Sequence, residues 1–265
     1  ATLTIEPGVV ITGDSGYRTL DIIGGTLIAE GTPENPIVFT SDDDDSIAGD
    51  TDGNGHDRQP EPGDWGGIRF RWNGEGTSAA QGSVKHCILR YGGDQQNGMI
   101  EIQGCSPTIE NCSFERSDEH GLWMQPATVD GTVKPTAPIV SHCRFAFNAD
   151  NGIYAEHSDA TPDLISAPRI SGCVFEGNED CAVELRDNVF PVFDAANELL
   201  FARGVVNGIR REGDVVASGT LEVPGPDFAY VLTGDLNVHA GATLTIEPGV
   251  VITGHSGHRT LDVIG

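Results

Sequence analysis

Residues 1–24 read ATLTIEPGVVITGDSGYRTLDIIG, and residues 242–265 read ATLTIEPGVVITGHSGHRTLDVIG. The two copies align without a gap at an offset of 241 residues and agree at 21 of 24 positions. The three changes are Asp14 to His255, Tyr17 to His258 and Ile22 to Val263. A closed globular domain gains nothing by ending in a copy of its own beginning, whereas a chain that continues along one axis does. The expectation is therefore one unit of a tandem array, residues 1–241, followed by the opening of the next, residues 242–265. Within the copy, Leu3 and Ile5 alternate as in a strand and Pro7-Gly8 turns the chain. Val9 with Ile11, then Leu20 with Ile22, resume the pattern.

A shorter repeat fills the middle of the chain. Four segments fit [V/I]-x-x-Cys-x-[L/F]: Val84/Cys87/Leu89, Ile109/Cys112/Phe114, Val140/Cys143/Phe145 and Ile170/Cys173/Phe175. Each is followed by a short alternating apolar strand, presenting Ile100 and Ile102, Leu122 and Met124, Ile153 and Ala155, then Val183 and Leu185. From each Cys to the first of these residues the distance is 13, 10, 10 and 10 positions. A fixed register with variable insertions elsewhere is what a coiled solenoid produces, because no coil buries its apolar face without a neighbour. Nearer the start, Leu27 and Ala29, Ile37 and Phe39, and Ile68, Phe70 and Trp72 alternate in the same way, with Arg69 and Arg71 on the opposite face. The stretch 197–203 (NELLFAR) reads equally as a short helical turn or a bulged strand.

Composition agrees. Gly is frequent at 35 residues and aromatics are sparse at 6%, as expected of an all-β chain of short strands and tight turns. Forty acidic residues against 15 basic give a net charge of −25, which repels nucleic acid and anionic membrane surfaces. No segment is long and apolar enough to enter a bilayer.

The runs LTIEPGVVI, TLIAEGT, PIVFTS, GDWGGIRF and the IxNCxF coils resemble the right-handed parallel β-helix repeats of large secreted bacterial surface proteins. The resemblance implies a solenoid of about nine or ten coils, advancing on the order of 45 Å per unit, and an extracellular or cell-surface setting. It does not choose a function, since that superfamily includes pectate lyases, polygalacturonases, tailspikes, adhesins and structural filaments.

The sharpest ligand motif follows Phe39. Asp50-Thr51-Asp52-Gly53-Asn54-Gly55, with Glu61 eleven residues after Asp50, fits the D-x-[DN]-x-[DN]-G-x5-E calcium loop. Calcium takes six to eight hard oxygens, so Asp50, Asp52, Asn54, Asp57 and Glu61 are the expected ligands, with the Asp42–Asp45 run beside them. The loop departs from the EF-hand pattern in lacking flanking helices, in carrying Asp57 at its eighth position and in its exit through Pro60 and Pro62.

Cys87, Cys112, Cys143 and Cys173 share one coil position and read as an interior thiol stack, while Cys105 and Cys181 lie outside that register. His86 and His142, at the place of Asn111 and Gly172 in other coils, read as corner residues. An enzyme would place acids with an Arg or Lys on one strand face. Asp118, Glu119, His120, Lys134 and Arg186 are the available groups, and they match no polygalacturonase signature. Insertions 125–138 and 156–168 follow equivalent strands, so they are expected to stack on one flank as a binding surface. The expected function is a calcium-stabilised, non-enzymatic building block of an extracellular filament, its partner another copy of itself. An adhesin or glycan-binding module is the alternative, with a polysaccharide lyase or hydrolase behind it. Units are expected to join without a break, the coil before residue 1 resembling residues 231–241, because no flexible linker precedes the second copy.

Overall fold

The computed structural model describes residues 1–14, 20–51, 53–55, 57–93, 98–157, 164–201, 203 and 206–265. Alternation of period two, interrupted every few residues by a turn, produces three long parallel sheets. The first sheet stacks Thr2–Ile5, Thr26–Glu30, Gln81–Lys85, Thr108–Glu110, Ile139–Ser141 and Arg169–Ser171. The second stacks Val10–Gly13, Ile37–Ser41, Cys87–Arg90, Ser113–Glu115, Arg144–Ala146, Val174–Glu176 and Glu198–Phe201. The third runs Leu20–Ile23, Ile68–Arg71, Gly98–Gln103, His120–Gln125, Ile153–Ala155, Val183–Arg186, Ile209–Val215, Tyr230–His239 and Ile252–Gly254. The chain visits the three in turn through six coils, a right-handed parallel β-helix, and in the three coils that follow only the third sheet continues to the far end. Residues 197–203 resolve toward the strand: Glu198–Phe201 pairs with Val174–Glu176 through a register shift.

Two elbows explain how three-residue strands turn so sharply. Between the first and second sheets stand His86, Asn111, His142 and Gly172, with φ of 46°, 55°, 53° and 63°. After the second sheet stand Tyr91, Arg116, Phe147 and Gly177, at 62°, 57°, 56° and 61°. A single left-handed residue redirects the strand, a conformation glycine adopts freely and asparagine and histidine more readily than most. His86 and His142 are thus corner residues, as their alternation with Asn111 and Gly172 implies.

The interior is made of rows. Val84, Ile109, Val140 and Ile170 line one wall, Ile100, Leu122, Ile153 and Val183 another, all buried. The rings of Phe114, Phe145 and Phe175 stack coil on coil, with centroids 4.8 and 5.3 Å apart. All six cysteines are buried free thiols. Those of the register are not purely apolar in their contacts, since the Cys112 Sγ–H faces the carbonyls of Val84 and Glu110, both at 3.3 Å. At the turn into the third sheet, Asn148 donates to the Asn178 side chain at 2.8 Å and Asn178 to the Phe145 carbonyl at 3.1 Å. These bonds link the turns of successive coils and satisfy buried polar groups there.

The cross-section changes near the far end. The strand Ile209–Val215 bends at a register shift between Arg211 and Gly213, and Tyr230–His239 follows it around the same corner. Arg211 lies wholly inside, donating to the carbonyls of Leu185, Asp187 and Glu212 around the bend. The second copy of the repeat is seated on this altered coil. Leu244–Ile246 pairs with Gly219–Leu221, Ile252–Gly254 with Tyr230–Leu232, and Leu261–Ile264 with Leu236–His239. The supporting coil therefore starts at Gly219, further back than residue 231.

Candidate functional site

The insertion carrying the calcium motif leaves the helix after Ile37–Ser41 and returns at Ile68–Arg71. Asp50, Asp57 and Glu61 are exposed and Asn54 is half-buried, while Asp52 lies outside the described residues. The described side chains close the turn on itself. Asp50 accepts the Gly55 N–H at 3.1 Å, and Asn54 accepts the Asp57 N–H at 3.1 Å. Asn54 also donates to Asp43 at 2.9 Å. The neighbouring aspartates are met by protein cations. Asp43 pairs with Arg58 at 3.1 Å, and buried Asp44 pairs with Arg90 and accepts the Thr40 and Ser46 hydroxyls. Asp44 is held below the usual carboxylate range: burial alone would raise it, and these hydroxyls and Arg90 outweigh that. Two residues of the Asp42–Asp45 run are thus met by arginines, Arg58 and Arg90, that no local pattern places beside them.

A different set of acids converges on the outer face of the third sheet. The strand His120–Gln125 supplies His120 and Trp123, Ile153–Ala155 supplies Tyr154, Val183–Arg186 supplies Glu184 and Arg186, and Ile209–Val215 supplies Arg210. Asp150 and Asp180 come from the turns that enter two of these strands. With Glu156 they line a polar cleft of about 350 Å³. Glu184, almost fully buried, receives Arg186 at 2.6 Å, Arg210 at 3.0 Å and the Asn151 amide at 3.1 Å. Arg210 also reaches Asp180 at 2.5 Å, so one guanidinium joins two coils. Burial works against the Arg210 cation, but Cys181, Glu184 and Asp180 raise it regardless.

The other half of the cleft is less balanced. One ligand atom each from Glu119, His120 and Asp150 lies within 4.8 Å of the others. Asp150 is pushed up to about 7, first by burial and then by Asp180, Glu184 and Glu119. His120 is pushed down to about 3 by burial and then by Arg186, so its ring is neutral at neutral pH. Its Nδ1 lies 3.3 Å from the Asn151 N–H and 3.4 Å from the Asp150 carboxyl. Near neutrality Asp150 is therefore the member of the pair that titrates, beside an uncharged imidazole. A second group, Asp180, Cys181 and Glu184, has metal-like spacing, yet Arg210 occupies the charge-neutralising position. The Tyr154 ring is stacked by His120 at 4.8 Å and lies under the Arg186 guanidinium at 5.5 Å.

Of the groups considered for catalysis from sequence, the fold brings together Glu119, His120 and Arg186. Lys134 sits elsewhere, 5.3 Å over the Trp72 ring, and Asp118 packs beside Gly63. The sequence reading missed Asp150, Asp180, Glu184 and Arg210. A signal for the first two existed: Glu119, Asp150 and Asp180 each stand seven residues after a register cysteine, which makes them one carboxylate ladder. Insertion 125–138 forms the hairpin Ala127–Val129 and Thr132–Lys134, whose tip at Val129 and Asp130 packs near Gly76. Its base meets the second insertion where the Thr136 N–H donates to Ser166 at 3.1 Å. Positions 158–163 of that insertion are outside the described residues.

Residues 69–194 match the family model of the right-handed β-helix region. Comparison with curated proteins finds no match, and neither does comparison with solved structures.

Proposed function

We propose that this chain is a structural building block of an extracellular filament or surface fibre, in which 241-residue β-helix units follow one another without a break. The observation that carries the reading is the seat of the second copy. Residues 242–265 add a further parallel coil to the far end, Leu244–Ile246 pairing with Gly219–Leu221 and the two later strands with Tyr230–His239. A rigid, acidic solenoid of this kind suits a spacer better than a catalyst. The cleft on the third sheet is occupied largely by ion pairs, and those of Arg210 with Asp180 and Glu184 tie two successive coils together.

Small-angle scattering on a two-unit protein, residues 1–241 followed by residues 1–265, tests the reading. A rigid rod of about twice the single-unit length supports it. A bent or broadly distributed shape makes the units separate beads and ends the fibre interpretation. Calcium is proposed as the ligand of the loop holding Asp50, Asp52, Asn54, Asp57 and Glu61. Support comes from its motif and from the exposed carboxylates of Asp50, Asp57 and Glu61. Melting in chelator and in millimolar calcium decides this part, since an unchanged midpoint would mean the loop is merely acidic.

A further inference from the structure

We infer that Glu119, His120 and Asp150, at the turns leading into the third sheet, form a binding site for a divalent transition cation of the Zn2+ type. The site is independent of the fibre reading and separate from the acidic loop at residues 50–61. His120 opens the strand His120–Gln125 and Glu119 precedes it, while Asp150 lies in the matching turn of the next coil. The Asp150 N–H donates to the Glu119 carbonyl at 3.2 Å, so the backbone holds the two carboxylates side by side. Coil stacking thereby brings one ligand atom from each of the three residues within 4.8 Å of the others.

The imidazole is what points to a ligand. His120 is 7% exposed, and its Nε2 meets no hydrogen-bond partner among the described residues. Its Nδ1 is approached by two donors, the Asn151 N–H at 3.3 Å and the Asn151 side-chain NH2 at 3.4 Å. That amide is oriented by its oxygen, which accepts the Cys181 N–H at 3.1 Å. Nδ1 therefore presents its lone pair on this side, and both donor contacts are too long to consume it. The Asp150 carboxylate faces the same atom at 3.4 Å. Two acceptors set face to face need a proton or a cation between them. No Lys or Arg pairs with Glu119 or Asp150 among the described residues. The nearby guanidiniums are committed elsewhere, Arg210 to Asp180 and Glu184, and Arg186 to Glu184 and Glu212.

The donor set selects the cation. Zinc bonds to nitrogen and oxygen of about 2.0–2.1 Å give tetrahedral ligand–ligand edges of about 3.3–3.4 Å. The Nδ1 to Asp150 distance of 3.4 Å is already such an edge. One imidazole with two carboxylates suits a borderline metal, whereas calcium and magnesium take oxygen ligands alone and in larger number. His120 and Asp150 both line the cleft of about 350 Å³, so the fourth position faces the cleft and is open to water. The neighbouring group of Asp180, Cys181 and Glu184 does not qualify, because Arg210 already neutralises its two carboxylates.

The test titrates Zn2+ into the full chain, freed of metal, by calorimetry in an excess of calcium that keeps the loop at residues 50–61 out of the count. One tight equivalent should bind and raise the melting temperature. Asp150→Asn and Glu119→Gln should each weaken binding by about a hundredfold or more, since each removes a ligand and not merely an outer-shell partner. Glu119 is only half-buried, so its variant keeps the fold, which melting in chelator verifies. The double change His255→Gln with His258→Gln, which removes the closely spaced imidazoles of the second copy, should leave the affinity unchanged. Co2+ in place of Zn2+ should give the strong visible absorption of four-coordination, and Asp150→Asn should abolish it. Absence of tight binding would mean that His120 and Asp150 share only a proton, and overturns the inference. Binding that survives both carboxylate changes, or that disappears with His255 and His258, overturns it equally.

Discussion

Residues 1–24 and 242–265 carry nearly one sequence at opposite ends of one helix, and the same side chains meet different surroundings. Ile5 is 7% exposed and its counterpart Ile246 is 41% exposed; Ile22 is 8% exposed and Val263 84%. Leu3 shows the reverse, at 43% exposed against a partly buried Leu244. The first coil is covered on the side where the chain continues into Thr26–Glu30, and the last coil is covered on the side of Gly219–His239. Even the choice of sheet differs. Val10–Gly13 belongs to the second sheet, whereas the matching Ile252–Gly254 continues the third. In a solenoid, the neighbouring coil sets burial and pairing, and strand sequence sets only which faces are available for it.

The largest expected effect comes from placing a charge at one aligned position in each copy. Ile22→Asp should destabilise by about 3–5 kcal/mol, because it buries an unpaired carboxylate between two coils. Val263→Asp should stay within about 0.5 kcal/mol. Chemical denaturation of both variants measures the gap, and equal losses would erase the distinction between covered and open coil. In the two-unit protein, the Val263→Asp cost should rise to that of Ile22→Asp.

Next in size is an ionic contrast. Asp21 receives Arg69 at 2.5 Å and Arg71 at 2.9 Å, while the aligned Asp262 accepts the Thr260 hydroxyl at 3.0 Å with no arginine partner among the described residues. Burial alone would raise the Asp21 carboxyl, but the two arginines outweigh it and hold it at about 2, below its ordinary 3.8. For a depressed carboxylate the unfolded chain binds the proton first. The contribution is therefore complete above about 3.8 and is lost as pH falls through about 2. Asp21→Asn should cost about 1–2 kcal/mol at pH 7 and flatten the acid limb of the melting profile. Asp262→Asn, which breaks no arginine pair among the described residues, should cost less than about 0.5 kcal/mol at pH 7. Equal costs for the two variants would show that the arginines do not stabilise the first coil.

Leu244→Ala should cost about 1 kcal/mol and Leu3→Ala about half of that or less, a reversal of the Ile22 and Val263 order. Thermal melting of the pair checks it, and a larger loss at Leu3 would mean that Leu3 is the better covered of the two.

The interior coils, covered on both sides, sharpen the comparison with the smallest effect. Asp150 titrates at about 7 when folded and so loses stability as pH rises from about 4 to 7. His120, held at about 3, gains stability as pH rises from about 3 to 6.5. The two slopes oppose each other in the intact cleft. Asp150→Asn should uncover the rising one, by about 1 kcal/mol or less given that Asp150 is partly solvated. A melting temperature that stays flat from pH 4 to 6.5 in this variant would show that His120 is not held neutral.

Much of the fold was legible residue by residue. The cysteine register placed Val84, Ile109, Val140 and Ile170 on one inner wall and Ile100, Leu122, Ile153 and Val183 on another, because period-two alternation with a fixed turn leaves one inward face. The corner role of His86 and His142 followed from their exchange with Asn and Gly. The cleft was harder to see. Glu119, Asp150 and Asp180 share a register position, but their neighbours Glu184 and Arg210 come from different strands 26 residues apart. Only coil stacking makes that separation a contact.

The sequence by itself determined the repeat, the solenoid and the inward rows, since these depend on local alternation and on turn residues that tolerate a left-handed backbone. The tertiary structure alone decided which coil lies on which. It set the buried Arg211 at the bend, matched Asp43 and Asp44 with Arg58 and Arg90, and moved the middle strand of the second copy onto the third sheet. The physical reason is that each of these is an interaction across coils, and its strength depends on a neighbour and a distance that period-two alternation does not encode.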